Sequence, residues 1–265
     1  MSKKVQATIP DKQEFDYAAR DQRRWAKMGE LFEKLDYDHE DILRNFSAFV
    51  RRREVPRFLA HYELFKHTID LPGCILELGV FKGGSLMTWA NLMETFCPGD
   101  RYRMVYGFDH FQGLTDYAEE DGKLTNDRNH DKLVGGWQAP AEISRLMVEL
   151  FNEDTIVPNI KRVQLVEGDI FDTLPVFLKE NPGLKIALLH LDVDLYKVTK
   201  FALEQLYPLV LEGGVVCFDE YGLVPWQGET TAADEYFESI GERPVYRKFP
   251  FVPTPSGYFI KGKAE

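Results

Sequence analysis

The chain has 265 residues, 44% of them hydrophobic, enough to bury a sizeable core in one domain with extensions. Its net charge of −11 argues against nucleic acid as a partner. No apolar run is long enough to cross a bilayer. Met1–Gln6 leads into polar sequence rather than a signal peptide, and the three cysteines, Cys74, Cys97 and Cys217, are too widely spaced for a metal motif; a cytoplasmic protein with reduced thiols is expected.

In chain order, Asp11–Leu35 carries Phe15, Trp25, Met28, Leu31, Phe32 and Leu35 near helical period. It reads as an amphipathic helix, packed on the domain or acting as a lid over a bound acceptor. Arg51–Arg53 reads as a solvated charge run. Val55–Ile69 reads as a helix whose His61 and His67 are structural. Residues 1–70 therefore form an N-terminal helical extension or lid, and residues 71–265 an α/β domain.

The run from Cys74 to Ser85 is a buried strand, a turn opened by Gly79, Gly83 and Gly84, and the start of a helix over Leu86–Met93. Glycines let a ligand approach the backbone, and a helix N-terminus offers free N–H groups. The spacing is not G-x-G-x-x-G, and Glu77 lies within the strand. An acid there suits a cationic ligand such as S-adenosylmethionine better than a pyrophosphate. Four more apolar runs end in acids: Val105–Asp109, Val163–Asp169, Ile186–Asp192 and Val215–Asp219. They set carboxylates along one edge of a parallel sheet, where ligands bind in open α/β folds, with Asp109 placed for a ribose diol.

Thr115–Ala139 is long, polar and glycine-containing, and reads as a mobile substrate loop. Helices are expected over Pro140–Phe151, Phe171–Glu180, Leu195–Leu209 and Thr230–Ile240. At the C-terminus, Val245–Phe249 and Gly257–Lys261 read as two strands about a turn at Pro253–Ser256, a hairpin adding an antiparallel strand.

Two acidic pairs, Asp192/Asp194 and Asp219/Glu220, stand just beyond core strands. Carboxylates converging at a sheet edge repel unless a cation holds them, and an oxygen-rich set suits Mg²⁺ or a similar ion. Asp194 could instead cap the helix that begins near Leu195.

The segments Glu77–Ser85, Phe108–Leu114, Leu191–Tyr196 and Gly213–Tyr221 resemble the macrocin O-methyltransferase (TylF/MycF) family, in its order. The resemblance implies a Rossmann-like class I methyltransferase fold over 71–265: a mostly parallel sheet, a C-terminal antiparallel hairpin strand and helices on both faces. It implies methyl transfer from S-adenosylmethionine to a hydroxyl of a small-molecule sugar acceptor, a nucleotide sugar or a glycoside, with Mg²⁺ or Mn²⁺. Asp192, Asp219 and Glu220 would hold the metal and Asp194 would be the general base. Glu77, Gly79, Gly83, Gly84, Ser85, Asp109 and Asp169 would line the cofactor site, and a homodimer is suggested. Glu220 and Phe81-Lys82 depart from the family's usual Asp and Trp-Arg. The alternatives are a catechol-type O-methyltransferase, an NAD-dependent oxidoreductase on a similar sheet, and a non-catalytic binding protein.

Overall fold

The computed structural model describes residues 17–52, 54–122, 136–224 and 226–262. The chain divides into two compact units, Met1–Val50 and Arg51–Glu265. The first holds α1 (Tyr17–Lys34), α2 (His39–Arg44) and α3 (Phe46–Phe49). Asp38 starts α2 by accepting the N–H of Asp41 at 2.9 Å, and Phe32 stacks on Phe49. Phe15 lies outside the described residues.

The second unit begins with α4 (Val55–Lys66), whose Pro56 sits in the first turn, where a missing N–H costs nothing. It continues as β1 (Cys74–Leu78), α5 (Gly84–Phe96), β2 (Val105–Asp109), α6 (Ala141–Glu153), β3 (Val163–Glu167), α7 (Ile170–Glu180), β4 (Ile186–Leu191), α8 (Tyr196–Leu206), β5 (Val210–Phe218), α9 (Gln227–Ser239) and β6 (Gly257–Ile260). The helix expected with the N-terminal extension, α4, thus belongs to the larger unit, where it buries Ala60, His61, Leu64 and Phe65.

The six strands lie in the order β3-β2-β1-β4-β5-β6. The first five are parallel, and β6 runs antiparallel to β5. Successive side chains of a strand point to opposite faces, and the sequence uses both. Leu76, Leu78, Phe108, Leu189, Leu191 and Phe218 pack on one face with residues of α7, α8 and α9. Ile75, Val105, Leu188 and Val215 pack on the other with residues of α4, α5 and α6. Continuous apolar runs are what a parallel sheet covered on both sides requires. Each large side chain buried this way contributes roughly 1.5–3 kcal/mol.

Of the two C-terminal strands expected, β6 forms, while Val245–Phe249 makes a single bridge, Arg247 to Tyr258. Pro244 and Pro250 flank that segment and lack the N–H that would extend the ladder. Among the described residues, no helix is long and apolar enough to cross a membrane.

Candidate active site

The strand order reverses between β1 and β4, and ligands of open α/β sheets bind outside the carboxyl ends of strands at such a point. A cavity of about 650 Å³ lies there, a volume typical of small-molecule sites. Asp109, Asp169, Asp192, Asp194, Asp219 and Glu220 line it, as do Gly79, Gly84 and Ser85 of the first turn. Gly83 and Glu77 do not.

The turn after β1 is built by main-chain geometry. Gly79 and Gly83 have φ of 89° and 80°, the left-handed region open to glycine, and Gly83 is the N-cap of α5. Asp109, at the end of β2, fixes this turn. Its Oδ2 accepts the N–H groups of Val80 and Phe81 at 2.8 and 2.7 Å, and its Oδ1 that of Phe111 at 2.6 Å. The acid expected on a ribose therefore shapes the glycine turn while lining the cavity. Asp169 caps α7 by accepting the N–H of Phe171 at 2.9 Å.

Glu77 is fully buried on the α4–α5 face, one residue out of phase with Leu76 and Leu78. Trp89 Nε1–H donates to its Oε2 at 2.8 Å, and His190 Nδ1 lies 3.3 Å from the same oxygen. The other ring nitrogen of His190 is 3.4 Å from Asp219 Oδ1. Burial pulls His190 down, but the carboxylates of Asp219 and Glu77 outweigh it and hold the imidazole at about 10. Glu77 thus acts from beneath the site, through His190.

Sheet hydrogen bonding carries past the strand ends and positions the acids: the N–H of Asp192 donates to Leu78 O, and that of Asp219 to Leu191 O, both at 2.9 Å. Between these acids sits Arg57 of α4. Its two terminal nitrogens reach Asp192 Oδ2 and Asp219 Oδ2, each at 2.8 Å. They also donate to Thr254 Oγ1 at 2.7 Å and Ser85 Oγ at 3.2 Å. Burial favours the neutral acid, yet Arg57 and His190 hold Asp219 well below the usual carboxylate range.

The other acids are pushed the opposite way. Burial, then the charge of Asp219, raises Asp192 and Glu220, and raises Asp194 to about 7. Burial also raises Glu229, a wholly buried acid of α9 whose Oε1 accepts the N–H of Glu220 at 2.9 Å. Among the described residues, Glu220 Oε2 and Glu229 Oε2 are buried with no hydrogen-bond partner. The site gathers more carboxyl groups than Arg57 and His190 can pair, and the excess ones are held toward their neutral form. His190, Asp192 and Asp219 each offer a ligand atom within 4.8 Å of the others; Glu220 stays outside that group.

Asp194 does not cap α8. The N-cap is Leu195, and the N–H of Tyr196 donates to Asp121 Oδ1 at 2.7 Å, from the loop after β2. Asp194 has φ of 59°, a conformation uncommon outside glycine. Asp121 also accepts the N–H of Ala118 at 2.6 Å, so this end of the expected mobile loop is anchored. Residues 123–135 of that loop lie outside the described residues.

Sequence reasoning did not find Arg57, His190, Asp121 or Glu229. Arg57 has no local signal, because its acidic partners lie 135 and 162 positions away. His190 did carry one: a histidine inside an otherwise apolar strand needs buried partners.

Residues 13–241 match the macrocin-O-methyltransferase (TylF) family. The chain belongs to this family. It is 31% identical over 171 residues to the demethyldecarbamoylnovobiocin O-methyltransferase of Streptomyces niveus, covering 63% of this chain and 59% of that enzyme. A crystal structure of a calicheamicin methyltransferase superposes with a TM-score of 0.79 at 29% identity, covering 92% of this TylF-family chain and 93% of that one. An apo structure described as a TDP-rhamnose 3'-O-methyltransferase of calicheamicin biosynthesis gives 0.74 at 28% identity, covering 92% and 95%. The chain spans 54–59% of the length of the curated relatives it matches.

Proposed function

We propose that this TylF-family chain transfers a methyl group from S-adenosylmethionine to a hydroxyl of a small-molecule sugar acceptor, assisted by Mg²⁺ or Mn²⁺. One observation carries the reading. The ends of four of the parallel strands, β2 to β5, bring acids to one cavity beside the glycine turn that follows β1, with Glu220 Oε2 buried and unpartnered among the described residues. The relatives' names, a novobiocin-type O-methyltransferase and a TDP-rhamnose methyltransferase, support a sugar acceptor.

In this reading Gly79, Gly84, Ser85, Asp109 and Asp169 form the cofactor side of the cavity. S-adenosylmethionine supplies an electrophilic methyl group with its own leaving group. No covalent enzyme intermediate is needed, so the reaction requires no nucleophilic triad. Asp192 and Asp219, with Glu220 beside them, would hold the divalent ion, which supplies charge to stabilise a forming alkoxide. Asp194 takes the hydroxyl proton. Burial and the charge of Asp219 raise its carboxyl above the usual carboxylate range, toward the pH at which a general base transfers protons most effectively. Glu77 and His190 hold Asp219 in place from below.

Trp137 and Trp226 also line the cavity, with ring centroids 5.5 Å apart. Such a wall packs against the apolar face of a sugar, and equally against a catechol ring, which keeps the catechol-type alternative open. Calorimetry with S-adenosylhomocysteine and with NAD, followed by methyl transfer to TDP-rhamnose, a glycoside and a catechol, decides between the readings. Micromolar binding of S-adenosylhomocysteine and transfer to a sugar are expected. Preference for NAD, or transfer to catechol alone, would sink the proposal. A homodimer belongs to the same reading, and sedimentation velocity tests it.

A further inference from the structure

The pair of carboxylates expected to hold the metal already holds a cation. Arg57 places one terminal nitrogen 2.8 Å from Asp192 Oδ2 and the other 2.8 Å from Asp219 Oδ2. One guanidinium thus bridges two carboxylates that would otherwise repel. A divalent ion bound to the same oxygens at about 2.1 Å would stand within about 5 Å of the guanidinium, with like charge and little water between them.

We infer that Arg57 and the divalent cation are alternative occupants of the Asp192–Asp219 pair, and that metal loading displaces the guanidinium. This rests on the metal reading above and concerns the chain's own arginine. The geometry permits the exchange. Both acids sit on short side chains fixed at the strand ends by main-chain hydrogen bonds, and Asp219 is only 6% exposed; the Arg57 side chain, about as exposed as that of Asp192 (29% against 26%), is long and flexible and lies on the cavity wall. The mobile partner is therefore the arginine. Thr254 and Ser85, which also accept from it, are neutral, so they retain no charge that would pull it back. In this role Arg57 is the resident counter-ion: it keeps the buried Asp219 and the half-buried Asp192 compensated in the absence of metal, and it weakens metal affinity by occupying their oxygens.

The arrangement also explains the position of α4. Arg57, Phe58 and His61 of α4, with Glu54 at its N-cap, are spaced at i, i+3, i+4 and i+7 and line the cavity. Displacing Arg57 changes the wall of the cavity.

The test uses the full chain without cofactor, with Mg²⁺ and Mn²⁺ as probes, in wild type, Arg57→Met and Arg57→Lys. Calorimetry and Mn²⁺ electron paramagnetic resonance give affinity, and thermal melting gives the linked stability. Arg57→Met is expected to bind the ion at least 10-fold more tightly. Arg57→Lys keeps the charge but cannot bridge both acids, and is expected to bind more tightly than wild type. Without metal both variants should melt below wild type, and saturating Mg²⁺ should close the gap. If the lysine variant binds like wild type, net charge alone sets affinity and the exchange is refuted. A melting gap that saturating metal leaves unchanged refutes it too. If none of the three chains binds either ion, the metal reading itself falls, a different result from equal binding by all three. Should Arg57→Met fail to fold, the lysine variant carries the test.

Discussion

The α-carbon of Gly79 faces the main-chain carbonyl of Asp192 so closely that a β-carbon at Gly79 would fall 1.7 Å from that oxygen. The turn after β1 and the acid after β4 are thereby locked together at the point where the strand order reverses. The contact is to backbone, so it cannot be relieved by rotating a side chain, and φ of 89° adds strain for any other residue. Gly79→Ala is expected to lower stability by about 1–3 kcal/mol, as overpacking does, and to weaken binding of both S-adenosylhomocysteine and Mn²⁺. Melting temperature and calorimetry measure this; unchanged binding of both would show that the two halves of the site are independent.

Asp194→Asn separates chemistry from architecture. Asparagine tolerates the left-handed conformation found at Asp194, so the backbone should survive. Loss of a general base should lower kcat by about 10²–10⁴. Because Leu195 is the N-cap of α8, the melting temperature should barely move. Normal single-turnover rates would remove Asp194 from the reaction.

Metal removal gives the third prediction. EDTA should abolish turnover, and Mg²⁺ or Mn²⁺ should restore it. Asp219→Ala should eliminate that response and also leave Arg57 and His190 short of a partner, with a stability cost of about 3–5 kcal/mol, as for a broken buried ion pair. Full activity of the metal-free enzyme would refute the assignment.

Glu77 offers a contrast with the acids that face the cavity. It is buried and hydrogen-bonded to Trp89 and His190, so Glu77→Ala should cost about 1–3 kcal/mol for each buried partner stranded. Affinity for S-adenosylhomocysteine should change far less than in Gly79→Ala. A selective loss of cofactor binding with normal stability would instead place Glu77 against the ligand.

Asp121 is predicted to act on α8. Its Oδ1 accepts the N–H of Tyr196, and the bare Cα of Gly228 makes room for that oxygen: a β-carbon there would lie 1.9 Å away. Asp121→Ala should lose about 0.5–2 kcal/mol, the range for an N-cap, and Asp121→Asn should recover most of it. Equal melting temperatures for all three proteins would show that the cap contributes nothing.

The sequence by itself determined the sheet and the set of acids. Short apolar runs such as Ile186–Leu191 and Val105–Phe108, bounded by turn residues, fit strands of a sheet covered on both faces, and parallel strands that end in Asp bring their carboxylates to one edge. Those constraints are local, and Asp192, Asp194, Asp219 and Glu220 follow from them. The tertiary structure alone decided how the acids are used. Whether Glu77 faces the cavity or the core depends on the phase of β1 against its neighbours, and packing of Leu76 and Leu78 on the opposite face turned it toward Trp89. Whether Asp194 is a cap depended on Asp121, more than 70 positions earlier. That a guanidinium bridges Asp192 and Asp219 depended on α4 docking across the mouth of the sheet. Charge compensation in a buried site is a matter of distance in space, and a one-dimensional pattern carries no information about a partner 135 residues away.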